Sequence, residues 1–124
     1  MTFTSAVPVI ATTDVRATVA YYERVFGFAK HFVFGDPPVY AGLQRDGVLL
    51  YVSLDEKLAS LLRSADLHPE VFLWVRDVDK VYAEHCSRGA KIVSEIGDRD
   101  WDARQYVIEE PNGYHLKFAE PLDR

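Results

Sequence analysis

A chain of 124 residues with 48% apolar and 27% charged side chains has the size and balance of one globular domain with a core of its own. Its formal charge of −5 argues against a nucleic-acid partner, because holding phosphates takes a surplus of Lys and Arg. No apolar run approaches the roughly 20 residues that span a bilayer, and the single cysteine, Cys86, excludes an internal disulfide and fits a reducing cytoplasm.

The start of the chain, MTFTSAVPV, has neither the basic opening nor the small-residue cleavage site of a signal peptide. Val7, Val9 and Ala11 alternate with Pro8 and Ile10, which predicts a strand buried on both faces. Asp14 follows as a helix cap, Val15, Val19, Tyr22 and Phe26 recur at helical spacing, and Gly27 supplies the stop. Ala29 to Phe34 is a predicted strand ending at the turn Gly35-Asp36-Pro37-Pro38. Val39 to Arg45 and Val48 to Leu54 form a predicted hairpin about Asp46-Gly47. Leu58, Leu61, Leu62 and Ala65 then mark a short amphipathic linker helix within 55–67, closed by His68-Pro69.

The pattern now repeats. Val71 to Val75 is a strand, Asp77 stands where Asp14 stood, Val78, Val81, Tyr82 and His85 make a helical stripe, and Gly89 ends it. Lys91 to Ile96, Arg104 to Glu109 and Tyr114 to Ala119 are three further strands, joined by a polar turn at 97–102 and the turn Pro111-Asn112-Gly113. The chain therefore reads as α+β: two βαβββ repeats, about 5–54 and about 68–120, within a single domain over 1–124. Each repeat is expected to curl into a half-barrel sheet with its helix outside, the two sheets facing one another. Ile10, Val71, Leu73, Val75, Leu116 and Phe118 point to the core, while Val7, Val9, Glu70, Phe72, Trp74, His115 and Lys117 point into the hollow. A binding site belongs in that hollow.

Few residues carry obvious chemistry. There is no Gly-rich phosphate loop, nucleophile elbow or spaced Cys/His cluster. His85 and Cys86 are helical neighbours about 100° apart and do not chelate. Glu109 and Glu110 face opposite sides of a strand, so they are no acid/base pair. Asp14 and Asp77 read as caps, and His31 as solvated. His68 and Glu70, two apart on an extended segment, have the spacing to share a metal with His115; against this, Lys117 lies on the same face and Pro69 bends the segment. Trp101 stands out in the polar run DRDWDAR, where so large an apolar side chain marks a ligand or subunit contact. The acidic residues around it, Asp98, Asp100 and Asp102, are solvated or attract a cation.

The doubled unit resembles the vicinal oxygen chelate superfamily of glyoxalases, dioxygenases and bleomycin resistance proteins, and within it the bleomycin-binding proteins. The resemblance rests on SAVPV at 5–9, DV at 14–15, GF at 27–28, RDG at 45–47, WVRDVDKVYAE at 74–84, EIG at 95–97, Trp101 and the P-x-G turn at 111–113. It implies that the enzymes' metal positions fall on Val7, Glu70 and Lys117, of which only Glu70 is able to ligate. It thus implies drug binding without catalysis, with no metal and no cofactor. Aromatic contacts to a bleomycin-like ligand are implied at Phe32, Tyr40, Phe72 and Trp101, with Trp74 and Glu70 lining the floor and Glu70 as a charge partner. For Phe72 and Trp74, packing at a dimer interface is the alternative. A homodimer with grooves at the subunit boundary is also implied. The competing reading is a metal-dependent glyoxalase- or dioxygenase-like enzyme using Glu70 with His68 or His115.

Overall fold

In a computed structural model, residues 1–123 form two compact units, which divide after Ser64. The first unit contains β1 (Val9–Thr12), α1 (Val15–Phe26), β2 (Ala29–Phe34), β3 (Tyr40–Arg45), β4 (Val48–Leu54) and α2 (Glu56–Ser64). The second contains β5 (Glu70–Trp74), α3 (Val78–Ser87), β6 (Lys91–Arg99), β7 (Ala103–Glu109) and β8 (His115–Pro121). Each unit has one four-stranded mixed sheet, in the order β1-β4-β3-β2 and β5-β8-β7-β6 respectively. The βαβββ repeat is thus the building block of the fold. In each copy the first strand runs parallel to the last, and the other pairs are antiparallel.

In the first unit, Ile10, Ala41, Leu43, Leu50 and Val52 are fully buried on the face of the sheet that meets α1. The predicted stripe Val15, Val19, Tyr22 and Phe26 is the buried side of that helix. Asp14 Oδ1 accepts the Ala17 N–H at 3.1 Å. Gly27 takes φ 68°, where its N–H reaches the Tyr22 carbonyl, a left-handed stop that a residue without Cβ adopts freely. Asp46 and Gly47, at φ 50° and 81°, form the predicted hairpin turn. The first strand differs from expectation. It starts at Val9, not Val7, and Val9 is 46% exposed. As an edge strand, β1 has a ladder partner only in β4, and the alternation leaves Val9 on the face turned from α1.

In the second unit, Tyr106, Ile108, Leu116 and Phe118 are buried on the α3 side. His85 of α3 is buried against Tyr106, whose hydroxyl lies 2.7 Å from His85 Nδ1. Two expectations fail here. Strand β6 continues to Arg99, so the polar turn is shorter than 97–102 and is centred on Asp100 to Asp102. Asp77 occupies the cap position of α3 but does not cap it: at φ 56° its carboxylate makes no capping bond. The N–H groups of Asp77 and Val78 instead donate to the two carboxylate oxygens of Glu120 on β8, each at 3.2 Å. The free N–H groups of a helix start need an acceptor, and it need not be local.

Candidate functional site

The chemistry-bearing residues collect on the faces turned from the helices. In the first sheet one rung runs Phe32, Gly42, Tyr51, Val9 across all strands. Phe32 lies flat over Gly42, and a Cβ at that position would overlap its ring. The missing side chain is therefore the seat of the aromatic. Tyr40 stacks beside Phe32 with centroids 6.2 Å apart and planes 7° from parallel. Tyr51 meets both edge-on, at 5.5 Å from Phe32 and 5.9 Å from Tyr40. Phe32 and Tyr40 thus share one aromatic cluster with Tyr51. Sequence reasoning missed Tyr51, because VLLYVSL reads as an unbroken apolar strand; only its register against Gly42 shows where the ring lies.

The second sheet is more polar. Its rungs, read from β6 to β5, are Lys91-Glu109-His115-Glu70, then Ser94-Val107-Lys117-Phe72, then Gly97-Gln105-Ala119-Trp74. Phe72 and Trp74 are in ring contact at 4.8 Å, and both are exposed. Trp101 is 62% exposed, yet its indole N–H donates to the side-chain oxygen of buried Gln105 at 3.1 Å. That bond ties the indole to Gln105 of the third rung. Phe72, Trp74, Trp101 and Glu70 therefore share one face of one sheet. Gln105, an unremarkable residue in ARQYVIE, is the anchor that sequence reasoning did not single out.

Glu70 is not a free carboxylate. Lys117 Nζ lies 2.6 Å from its Oε2. His68 and His115 do not join Glu70; they gather around Glu109, and the rings of the two histidines stack at 4.3 Å with planes 10° apart. His115 Nε2 is 3.2 Å and His68 Nδ1 3.6 Å from Glu109 Oε1, while Lys91 holds the other carboxylate oxygen at 2.7 Å. The grouping of Glu70 with His68 and His115 on which the competing reading rests is therefore not formed. The rung places Glu109 beside His115, and Pro69 does not turn His68 away, because the Pro69 carbonyl accepts the His115 N–H and keeps the segments together. A hydrogen bond to the Gly113 carbonyl, with help from Asp66 and Glu109, holds the His68 imidazole above its usual pKa. Lys91, then His115, hold the Glu109 carboxyl below the usual carboxylate range. Asp98 is engaged by Arg104 at 3.0 Å, so that acidic group is already paired.

The sequence profile of the Glyoxalase/Bleomycin resistance protein/Dioxygenase superfamily matches residues 5–118. The chain belongs to that superfamily. Solved structures share the fold over nearly the whole chain. TioX from Micromonospora sp. ML1 is 25% identical, with a TM-score of 0.78 over 97% of this chain and 100% of that one. A bleomycin resistance determinant encoded on the transposon Tn5 is 21% identical, with a TM-score of 0.79 over 96% and 98%. A bleomycin-binding protein from bleomycin-producing Streptomyces verticillus, complexed with copper(II)-bleomycin, is 24% identical, with a TM-score of 0.75 over 100% and 99%. Among curated proteins, none matches the chain by sequence. The residues at the positions that resemblance assigns to the superfamily's metal do not fit one: Val7 offers no donor, and Lys117 puts a cation where a ligand would stand.

Proposed function

We propose that this protein binds and sequesters a cationic, partly aromatic small molecule of the bleomycin class without transforming it, as a cytoplasmic homodimer. The observation that carries the reading is the exposed aromatic surface on the faces turned from the helices, above all Trp101, oriented by Gln105 while most of its ring stays open. Ordered, exposed ring faces are what a flat heteroaromatic segment stacks on, and they attract a cationic tail. Phe32 and Tyr40 serve as stacking walls on the first sheet, and Phe72 and Trp101 on the second, with Trp74 and Glu70 lining the latter. The bleomycin-binding neighbours in the superfamily support this ligand class. The competing enzyme reading has no such support, because His68 and His115 stand beside Glu109 and not beside Glu70, the carboxylate it would use.

Both tryptophans, Trp74 and Trp101, lie on this surface, so fluorescence reports on it directly. Titration with bleomycin, with and without bound copper, is expected to quench the emission saturably at one drug per subunit. The double variant Trp101→Ala, Phe72→Ala is expected to keep its far-UV circular dichroism and lose affinity by ~10-fold or more, the scale of two lost ring contacts. Undiminished affinity in that variant would overturn the site, and a flat wild-type titration would remove bleomycin as ligand.

A further inference from the structure

The geometry points to a second, separate site in the second unit: a divalent transition-metal site of the zinc class formed by His68 Nδ1, Glu109 Oε1 and His115 Nε2. It differs from the superfamily's metal positions in every residue. None of Val7, Glu70 or Lys117 takes part, and the three donors lie on the end rung of the sheet and the segment just before β5.

Three observations carry it. The first is spacing. Zinc bound tetrahedrally at 2.0–2.1 Å sets neighbouring donors roughly 3.3 Å apart, and the oxygen of Glu109 stands 3.2 Å from His115 Nε2 and 3.6 Å from His68 Nδ1. One donor atom from each of the three residues lies within 4.8 Å of the others, and this is the one such group found among the described residues. The second is chemistry. Two imidazoles and a carboxylate suit zinc, cobalt and nickel better than calcium or magnesium, which prefer all-oxygen shells. The third is the surrounding support. His68 Nε2, on the far side of the ring, lies 3.0 Å from Asp66 Oδ1, and Glu109 Oε2 is held by Lys91. A carboxylate behind a histidine ligand fixes its ring and raises its basicity. Asp66 is placed for that task, and Lys91 engages Oε2 and leaves Oε1 on the side of the two histidines.

Two changes accompany loading. Two donor nitrogens must give up protons as the metal arrives: His68 Nδ1, which now donates to the Gly113 carbonyl at 2.7 Å, and His115 Nε2, which now donates to Glu109 Oε1 at 3.2 Å. The stacked rings must also splay, because two parallel imidazoles cannot both direct a lone pair at one ion; the torsion involved is soft. Three protein donors leave a fourth tetrahedral position open to water or another ligand.

The test is titration of the full chain, stripped with chelator, with Co²⁺ and then Zn²⁺. Visible absorption reports cobalt geometry, calorimetry the stoichiometry, and histidine proton NMR the ligands. The chain has 4 histidines, so the signals are few enough to assign. One ion per chain is expected, with the His68 and His115 resonances shifted and those of His31 and His85 in place. Glu109→Gln and His115→Gln are each expected to weaken the affinity by 10-fold or more, Asp66→Asn by less, and His31→Gln not at all. Absence of uptake, or uptake that survives Glu109→Gln together with His115→Gln in a folded chain, would overturn the site. Loss of uptake with His31→Gln alone would do the same, marking adventitious surface binding.

Discussion

The two repeats share a topology and hold it together differently. Asp14 and Asp77 occupy the same place before equivalent helices, in the matching sequences TTDVRATV and VRDVDKVY. Asp14 caps its helix; Asp77 does not, and Glu120 reaches across from the last strand to do so. The helix-facing layers diverge in the same way. The first unit closes its core with rings, Tyr22 meeting Phe26 at 5.1 Å and Phe28 at 6.0 Å. The second puts a hydrogen bond inside its core, between His85 and Tyr106. Even the opposite faces differ, one carrying an aromatic cluster and the other mixing rings with a His-Glu-Lys rung. A repeat therefore constrains strand order far more tightly than side-chain function, because backbone pairing sets the former and each rung is free to vary.

The sharpest way to break the comparison is through the two cores. Tyr22→Ala removes a fully buried ring that touches several others, and it is expected to destabilise the protein by about 3–5 kcal/mol. Tyr106→Phe keeps the ring, which stacks on Phe118 at 5.2 Å, and deletes the hydroxyl that bonds His85. It is expected to cost about 1–3 kcal/mol, the range for depriving a buried polar group of a partner. Urea denaturation of both variants checks the order. Equal losses would mean that the second core depends on its polar bond as much as the first depends on a whole ring.

Much of this was legible in the sequence, and the failures share a cause. Hydrophobic period and turn chemistry are local, so α1, β2, the Asp46-Gly47 hairpin and the doubled unit emerge directly from the residues. The alternation also assigned Phe72, Trp74, Glu70, His115 and Lys117 correctly to one face of their sheet. What it lacked was register. Tyr51 joins Phe32 only because Gly42 sits between them, and Glu109 joins His115 only because the two strands pair at that rung. Alternation alone sets Glu109 against its neighbour Glu110, which faces the other way, and is silent on His115 across the ladder. Glu120, 43 residues from Asp77 along the chain, has no local signature as a cap at all.

Capping offers the next contrast. Asp14→Ala is expected to cost about 1 kcal/mol, the usual loss on removing an N-cap acceptor. Asp77→Asn is expected to change stability little, since that side chain caps nothing and asparagine tolerates its left-handed backbone. Glu120→Ala is expected to behave like Asp14→Ala, at about 1 kcal/mol, because it strips the acceptor from two helix N–H groups. Thermal melts of the three variants decide the matter. A loss in Asp77→Asn as large as that in Asp14→Ala would restore the symmetry of the two caps.

The smallest effect belongs to a contact of the second unit that ties its helix to its sheet by charge. Arg104 of β7 grips both oxygens of Asp79 on α3, at 2.9–3.2 Å, and also reaches Asp98 of β6. The hydrogen bonds from Arg104 hold the Asp79 carboxyl below the usual carboxylate range. The sign follows from linkage. A carboxyl whose folded pKa is lowered stabilises the protein above its unfolded value, and that contribution is lost as pH falls through the folded one. Both partners are solvent-accessible, so the effect is modest. Arg104→Met preserves much of the stem and removes the charge. Its melting temperature is expected to lie slightly below wild type near neutral pH, with the two curves converging in acid as Asp79 becomes protonated. A gap that stayed constant into strong acid would assign the role of Arg104 to packing along its stem, leaving hydrophobic contact as what joins α3 to its sheet, as it joins α1 to the first.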